Sequence, residues 1–277
     1  MYAPLRRLLL PLLCTLATGC QLGFPDEVAP DAGLDAGSDA GTAPGVLWEE
    51  HWGQDDADTR GQAVAADPMG GFVHTGVFAM PTYSQLGVQR NRENGDYVLM
   101  HAFEVRCPGA PCTPGIETAV AVGSDGSTYT VGAFQGPGVL KTPAGDFQVG
   151  SSGVSAGFVL KLDGAQRHLW TRTLGGATGR MRLDDLAVIP GGDLAVVGSY
   201  LGSQSVGSVA LPTSDVERGF VALFGAEGSV RWARALGALT PGERRHMALD
   251  IGALVVTDRA SGALTLSWFS LGGELVS

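Results

Sequence analysis

Trp170-Thr-Arg-Thr-Leu174-Gly175 and Trp232-Ala-Arg-Ala-Leu236-Gly237 are two copies of one pattern. Three short apolar runs lie between them, Leu186-Ala-Val-Ile189, Leu194-Ala-Val-Val197 and Phe220-Val-Ala-Leu-Phe224. Gly, Pro, Asp and Ser separate the runs, and these are residues that turn a chain. With the tryptophan run, each repeat holds four strands. The runs do not alternate apolar with polar residues, so both faces of each sheet are expected to be buried.

The same order recurs on either side. Upstream stand Trp48-Glu-Glu-His-Trp52-Gly53, Ala63-Val-Ala65, Phe72-Val-His-Thr-Gly76 and Tyr97-Val-Leu-Met100. A second unit has Thr118-Ala-Val-Ala-Val122, Thr128-Tyr-Thr-Val-Gly132 and Phe158-Val-Leu-Lys-Leu162, with no tryptophan strand of its own. Gly76, Gly132 and Gly198 mark one place in successive units, a spacing that suits four-stranded blades. The last unit keeps Ala253-Leu-Val-Val-Thr257 and Leu264-Thr-Leu-Ser-Trp-Phe269 before Leu275-Val276-Ser277. Comparison with Gly228-Ser-Val-Arg-Trp232 calls for a tryptophan strand next, and Gly45 to Gly53 offers one. The expected fold is therefore all-β and β-propeller-like, with about four four-stranded repeats closed by the N-terminal strand. An open stack or a truncated propeller is the competing arrangement. Helices should be few and short, with one turn expected near Glu243 to Leu249.

Three features carry a family resemblance: Trp-x-x-x-Leu-Gly, then Gly-Gly-Asp193-Leu-Ala-Val-Val-Gly198-Ser-Tyr200-Leu-Gly202, then Gly219-Phe-Val-Ala-Leu with a tryptophan after a glycine turn. Together they resemble the SBBP-like β-propeller repeats of bacterial surface and envelope lipoproteins, myxobacterial ones among them. The resemblance runs from Leu47 to Leu271. It implies a fold and an extracytoplasmic address more than an activity.

The N-terminus reads as that address. Arg6-Arg7 precedes the apolar run Leu8 to Ala17, which has the length of a signal-peptide core and is short of the roughly 20 residues that span a bilayer. Leu16-Ala17-Thr18-Gly19-Cys20 resembles the lipobox of bacterial lipoproteins, which implies a diacylglycerol on the Cys20 sulfur and cleavage before it. An ordinary signal peptide cut near Gly19 is the alternative. Gln21, where an Asp would imply inner-membrane retention by the same resemblance, points to the outer membrane, on its periplasmic or surface face. From Gln21 to Gly45 there is no basic residue, and Asp-Ala-Gly occurs at Asp31, Asp35 and Asp39 among Pro25, Pro30 and Pro44. Such a stretch stays solvated and spans roughly 25 to 30 Å, enough to hold a domain clear of lipid headgroups. The organisation is thus a signal peptide over 1–19, a lipidated, acidic tether over 20–45 and a repeat domain over 46–277.

Charge and chemistry narrow the function. Without Arg6 and Arg7, 16 basic residues face 28 acidic ones, a net charge near −12, which disfavours nucleic acid. Cys107-Pro-Gly-Ala-Pro-Cys112 should form a disulfide in an oxidising envelope, since its spacing is not that of a Cys-x-x-Cys redox site and two thiols alone do not hold zinc. Gly153-Val-Ser155-Ala-Gly157 matches the hydrolase elbow but leads from a Gly/Ser turn into a strand, the reverse of the context that an elbow needs. Asp56-Ala-Asp58-Thr-Arg60-Gly61 approaches a calcium loop, with Arg60 where the third carboxylate should be. His51, His74, His101, His168 and His246 form no metal-spaced pair. No catalytic residue, metal site or cofactor is expected. The expected function is a lipid-anchored envelope protein that binds or scaffolds a protein or polysaccharide partner. Its rival is an extracytoplasmic hydrolase or lyase working at a central funnel.

Overall fold

In the computed structural model the described residues are 58–79, 83–106, 117–135, 138–149, 155–175, 178–240, 243–250, 252–260 and 263–276. They are all-β, with no helix among them. The first sheet is an antiparallel meander of β1 (Asp58–Ala66), β2 (Phe72–Ala79), β3 (Ser84–Asn91) and β4 (Tyr97–Arg106). The second contains β5 (Glu117–Val122) and β6 (Thr128–Gln135), then a hairpin of β7 (Gly138–Thr142) and β8 (Gly145–Val149), then β9 (Ser155–Leu162) and β10 (His168–Leu174). Its order is β5-β6-β9-β10, while the hairpin joins the edge of the first sheet through Val105 with Leu140. The third repeats that order with β11 (Arg180–Val188), β12 (Leu194–Gly202), a small hairpin of β13 (Ser205–Val206) and β14 (Val209–Ala210), then β15 (Ser214–Phe224) and β16 (Val230–Ala238), and one parallel bridge, Arg180 with Ser155, connects its first strand to β9 of the second. The fourth holds β17 (His246–Asp250), β18 (Ala253–Ala260) and β19 (Ala263–Ser270).

One turn recurs throughout. At 67–71, 92–96, 123–127, 163–167, 189–193, 225–229 and 270–274, the first residue's N–H bonds the fifth residue's carbonyl and the fourth residue's N–H bonds the first residue's carbonyl. The fourth residue has positive φ in all seven turns, and in six of them it is glycine, which alone enters that region without steric cost. The exception is Gln166, at φ 59°.

The fourth strands share a second device. Trp170 pairs with Lys161, Trp232 with Leu223 and Leu99 with Arg90, each beside a bulge that leaves one extra residue, Leu169, Arg231 or Val98. A bulge on an outer strand twists that edge away from pairing with another chain. A first-strand bulge also recurs, between Gly61 and Ala63 and between Leu183 and Asp185, with Gly76 and Gly198 opposite. A Cβ on Gly198 would sit on the Arg182 carbonyl.

Several expectations change. The tryptophan runs are the last strands of the sheets before them, because each folds back across its turn onto the third strand. Tyr97–Met100 is likewise a fourth strand and not a third. The third place belongs to β3, and β4 fills the gap that looked like a missing tryptophan strand, with Leu99 at the tryptophan register. Glu243 to Leu249 was expected to hold a helical turn, but from His246 on this stretch belongs to strand β17. Its residues pair in register with β18, from His246 with Thr257 to Asp250 with Ala253, and those ladder bonds outweigh weak local helix preference.

The sheets stack face to face. Val73, Val77, Leu86, Val88 and Phe103 of the first meet Val120, Phe134, Phe158, Leu160 and Leu162 of the second. Tyr129, Val131 and Val159 of the second meet Met181, Leu183, Val196, Phe220 and Phe224 of the third. Ala195, Val197, Val221 and Leu223 of the third meet Leu254, Val256 and Phe269 of the fourth. Neighbours along one strand thus enter opposite cores, as Val196 and Val197 do, which is why the runs lack alternation. Each such Leu or Phe contributes about 1.5–3 kcal/mol. The first strands β1, β5, β11 and β17 neighbour one another in that order. Among the described residues no comparable packing joins β17 back to β1.

Gly198→Ala is expected to lower stability by about 2–3 kcal/mol, since the new methyl must displace backbone at a bulge. Gly61→Ala, with open space where its Cβ would lie, should stay within about 0.5 kcal/mol. Urea denaturation of the two variants checks the contrast.

Candidate functional site

The polar chemistry of the described residues concentrates where one sheet meets the turns of the next. Trp170 on β10 lies over Gly228 in the 225–229 turn of the third sheet, where a Cβ would come within 3.0 Å of the ring. Its Nε1 donates to the Ala226 carbonyl at 3.1 Å. Trp232 on β16 repeats the arrangement on the fourth sheet: Nε1 donates to the Leu271 carbonyl at 2.9 Å, and a Cβ on Gly273 would lie 2.7 Å from the ring. The acceptor is the second residue of the turn in both cases, and the glycine under the indole is the fourth. A flat apolar ring with one donor at its rim suits such a seat, because the ring covers the turn while the N–H satisfies a carbonyl that the ring would otherwise shield from water.

Cations reinforce the seats. Lys161 Nζ also donates to Ala226 O, at 3.2 Å, and stands 4.8 Å from the centre of the Tyr129 ring. Tyr129 donates its hydroxyl to Gly192 O at 3.0 Å, in another turn of the third sheet. Arg172 stacks on Trp170 at 5.4 Å and donates to Gly228 O and Glu227 O, both at 3.0 Å. A cation over an aromatic face contributes about 0.5–2 kcal/mol, more as water is excluded.

The first sheet makes the same joint with different residues. Leu99 has no N–H to offer, and Arg90, its register partner, supplies the donor. Arg90 Nη1 donates to Gly164 O at 2.9 Å, the carbonyl that corresponds to Ala226 and Leu271. Nη2 reaches Gly126 O at 2.5 Å, the counterpart of Gly192, and Nε pairs with buried Asp67 at 3.2 Å. With no indole above it, the fourth residue of the 163–167 turn need not be glycine. Gln166 occupies it fully buried, donating Nε2 to Thr128 Oγ1 at 2.8 Å.

Between the third and fourth sheets the joint is acidic. Asp184, at the β11 bulge, accepts from Arg182 Nε at 2.6 Å and from the Arg245 backbone N–H at 3.3 Å. Burial pushes its carboxyl above the usual range, against the pull of Arg182. Asp185 accepts the N–H of Leu186 at 2.8 Å and of Met247 at 3.0 Å. His246 stands 3.7 Å from Asp185, which holds its imidazole above the ordinary value. Arg245 is fully buried over Gly219 and donates to Gly237 O at 3.1 Å. A cleft of about 540 Å³ opens nearby, walled by Arg234 and Leu236 of β16 and by Ser267, Phe269, Glu274 and Leu275 of the fourth sheet.

No protein-family model and no curated protein matches the chain.

The residues singled out in the sequence do not converge. His74 lies 5.9 Å from the Phe72 ring on β2, and His101 stacks on Phe103 at 6.0 Å on β4. His168 bonds Thr171 at 2.9 Å on β10, where burial lowers its pKa. Ser155 donates to the Met181 carbonyl at 3.2 Å at the start of β9, which is not an elbow. Asp58, Arg60 and Gly61 of the calcium-loop-like stretch are within strand β1 and not in a loop. No group of three metal-ligating side chains occurs among the described residues. Cys20, Cys107, Cys112, Trp48 and His51 lie outside the described residues. Sequence reasoning missed Arg90, Lys161, Gln166, Asp184 and Arg245. Setting the seven turns one above another would have exposed Gln166, the single non-glycine at the fourth place.

Gln166→Gly relieves the φ strain, worth up to about 1 kcal/mol, but deletes a buried side chain and leaves Thr128 Oγ1 only its longer bond, from Arg90 Nη2 at 3.4 Å, together worth about 2 kcal/mol. A net loss of about 1 kcal/mol is expected on chemical denaturation. The two imidazoles should titrate in NMR on opposite sides of the ordinary 6.5. His246, raised, contributes stability that is present below pH 6.5 and lost as pH rises through its folded pKa. His168, lowered, contributes stability present above pH 6.5 and lost as pH falls toward its folded pKa. His246→Ala and His168→Ala should therefore tilt the dependence of Tm on pH in opposite directions.

Proposed function

We propose that this chain is a lipid-anchored scaffold of the bacterial cell envelope, a propeller-like ring of four sheets held off the outer membrane by an acidic tether. The observation that carries the scaffold reading is where the polar side chains go. Trp170, Trp232, Arg90, Lys161, Arg172, Asp184 and Asp185 all bond the backbone of an adjoining sheet, so that the chemistry is spent on rigidity. The strand order repeated in β1-β2-β3-β4, β5-β6-β9-β10 and β11-β12-β15-β16, the adjacent first strands and the double-sided packing support the propeller-like arrangement. The fourth sheet supports closure, since its last turn already begins a fourth strand: Leu275 pairs with Phe269 and Val276 N–H donates to Trp268 O at 2.7 Å. In this reading the N-terminal tryptophan run, Gly45 to Gly53, completes the ring. The lipobox at Cys20 supports the anchor, and loops rich in carboxylates favour a basic or polar partner, an envelope protein or a polysaccharide.

Two experiments test this. Labelled palmitate should enter the wild-type chain and be absent from Cys20→Ala, and label that survives the substitution contradicts the anchor. The mature domain, immobilised, should retain a defined envelope component in a salt-sensitive manner, whereas turnover of envelope peptides or glycans by the purified domain would contradict a scaffold.

A further inference from the structure

Two hairpins act as wedges between neighbouring sheets. The first, β7–β8, stands between the second and third strands of the second sheet and reaches back to the sheet before it, where Leu140 pairs with Val105 and Val139 with Arg106. Leu140 is fully buried between the two sheets, and Phe147 packs beside it, 6.2 Å from the ring of His168. The second wedge, β13–β14, holds the same station in the third sheet. Its Ser205 carbonyl accepts from Gly175 N–H, just past β10, at 3.2 Å, and Val206 and Leu211 are buried in the core shared with the second sheet. Its Gly207 lies over Val230, where a Cβ would come within 2.7 Å of the side chain. Each wedge thus spans the same two points, the end of the preceding sheet's last strand and the residue that opens its own sheet's last strand. His168 and Val230 are equivalent, each paired across its turn with the last residue of the third strand, Leu162 or Phe224.

The fourth sheet inserts no wedge. β18 ends at Ala260 and β19 begins at Ala263, and these two residues pair, so that only 261 and 262 connect the strands where the other sheets place a hairpin. The two points that a wedge would span are nonetheless present. Gly237 stands five residues after Trp232 as Gly175 does after Trp170, and Leu275 pairs with Phe269 as Val230 does with Phe224. Both line the cleft of about 540 Å³, whose floor, Leu236 and Phe269, continues the apolar core between the third and fourth sheets. Leu275 is 64% exposed there. The volume is within the roughly 300–1,000 Å³ of ligand sites.

We infer that this cleft is a docking groove for an extended segment of a partner protein, which takes the wedge's place. The segment lies along the end of β16 with a backbone carbonyl on Gly237 N–H and an uncharged, branched apolar side chain between Leu236, Phe269 and Leu275. Its chemistry is read from the two internal wedges, whose buried side chains are Leu140, Val206 and Leu211. Main-chain bonds at a strand edge supply affinity, and the side-chain pocket supplies selectivity. A polysaccharide suits these walls less well. The ring of Phe269 is 4% exposed and offers no face to a sugar, while Arg234 and Glu274 put one charge of each sign in the lining, so that no net charge draws an ionic polymer. The groove rests on the scaffold reading above and names the partner as a protein strand.

A backbone-cyclised peptide of residues 202–212 tests it, because it carries the second wedge's own sequence and closure pre-organises it. Titrated into the full mature chain, it should shift the amide NMR signals of 234–237 and 274–275 in a saturable way and leave those of 172–175 in place. Leu275→Asp should weaken binding about tenfold or more, the worth of one buried leucine. Leu266→Asp, exposed on β19 but outside the cleft, should leave it unchanged, and both variants should keep the wild-type Tm. No saturable shift at the highest soluble peptide concentration overturns the inference. So does equal binding by Leu275→Asp, or by a peptide with serine in place of Val206 and Leu211. Shifts of the same amides that follow protein concentration alone show a second copy in the groove, and shifts with an envelope polysaccharide but not with the peptide show a saccharide site. Either result overturns it. Retention of an envelope component without any peptide binding leaves the scaffold reading and removes the groove, whereas peptide binding without such retention keeps the groove and removes the scaffold reading.

Discussion

One indole N–H bonded to one turn carbonyl of the adjoining sheet is the contact on which this architecture depends. A four-stranded sheet of short strands buries too little to persist alone, so each must press both faces on neighbours. Apolar packing supplies the adhesion but slides easily, because flat faces of Val and Leu fit one another in many offsets. A directional bond at the rim fixes the offset. Trp232 over Gly273 and Trp170 over Gly228 set the distance and rotation of successive sheets in the same way, which lets one geometry repeat.

The first joint shows what the constraint is and what it is not. Leu99 sits at the tryptophan register, yet the turn carbonyl is still satisfied, by Arg90 from the paired strand. The carbonyl must find a donor from the preceding sheet, and the residue that supplies it can change. The exchange has consequences on both sides. A buried guanidinium needs its own counter-charge, which Asp67 gives, and the space vacated by the ring is filled by Gln166. Removing one partner of such a buried pair leaves an uncompensated charge, so these residues are expected to depend on one another.

Much of the fold was legible because burial on both faces leaves unbroken apolar runs. β12, β15 and β9 stand out for that reason, and Gly76, Gly132 and Gly198 mark one second-strand place in each of three sheets. β3 was hidden because its core residues Leu86 and Val88 alternate with Gln85, Gln89 and Asn91, so that it resembles polar loop. β17 was hidden by Arg244, Arg245 and His246, whose side chains serve the joint with the third sheet. The joints themselves were scarcely legible. Their acceptors are backbone carbonyls, which have no letter in the sequence, and only the donors and the glycines beneath them leave a trace.

Hydrogen exchange of the turn amides in single tryptophan variants tests the joint directly. Trp170→Ala should speed exchange at 225–229 of the third sheet while 270–274 of the fourth stays protected, and Trp232→Ala should do the reverse. Equal loss of protection in both turns from either variant, or no loss in either, would contradict the view that each indole holds the sheet that follows it.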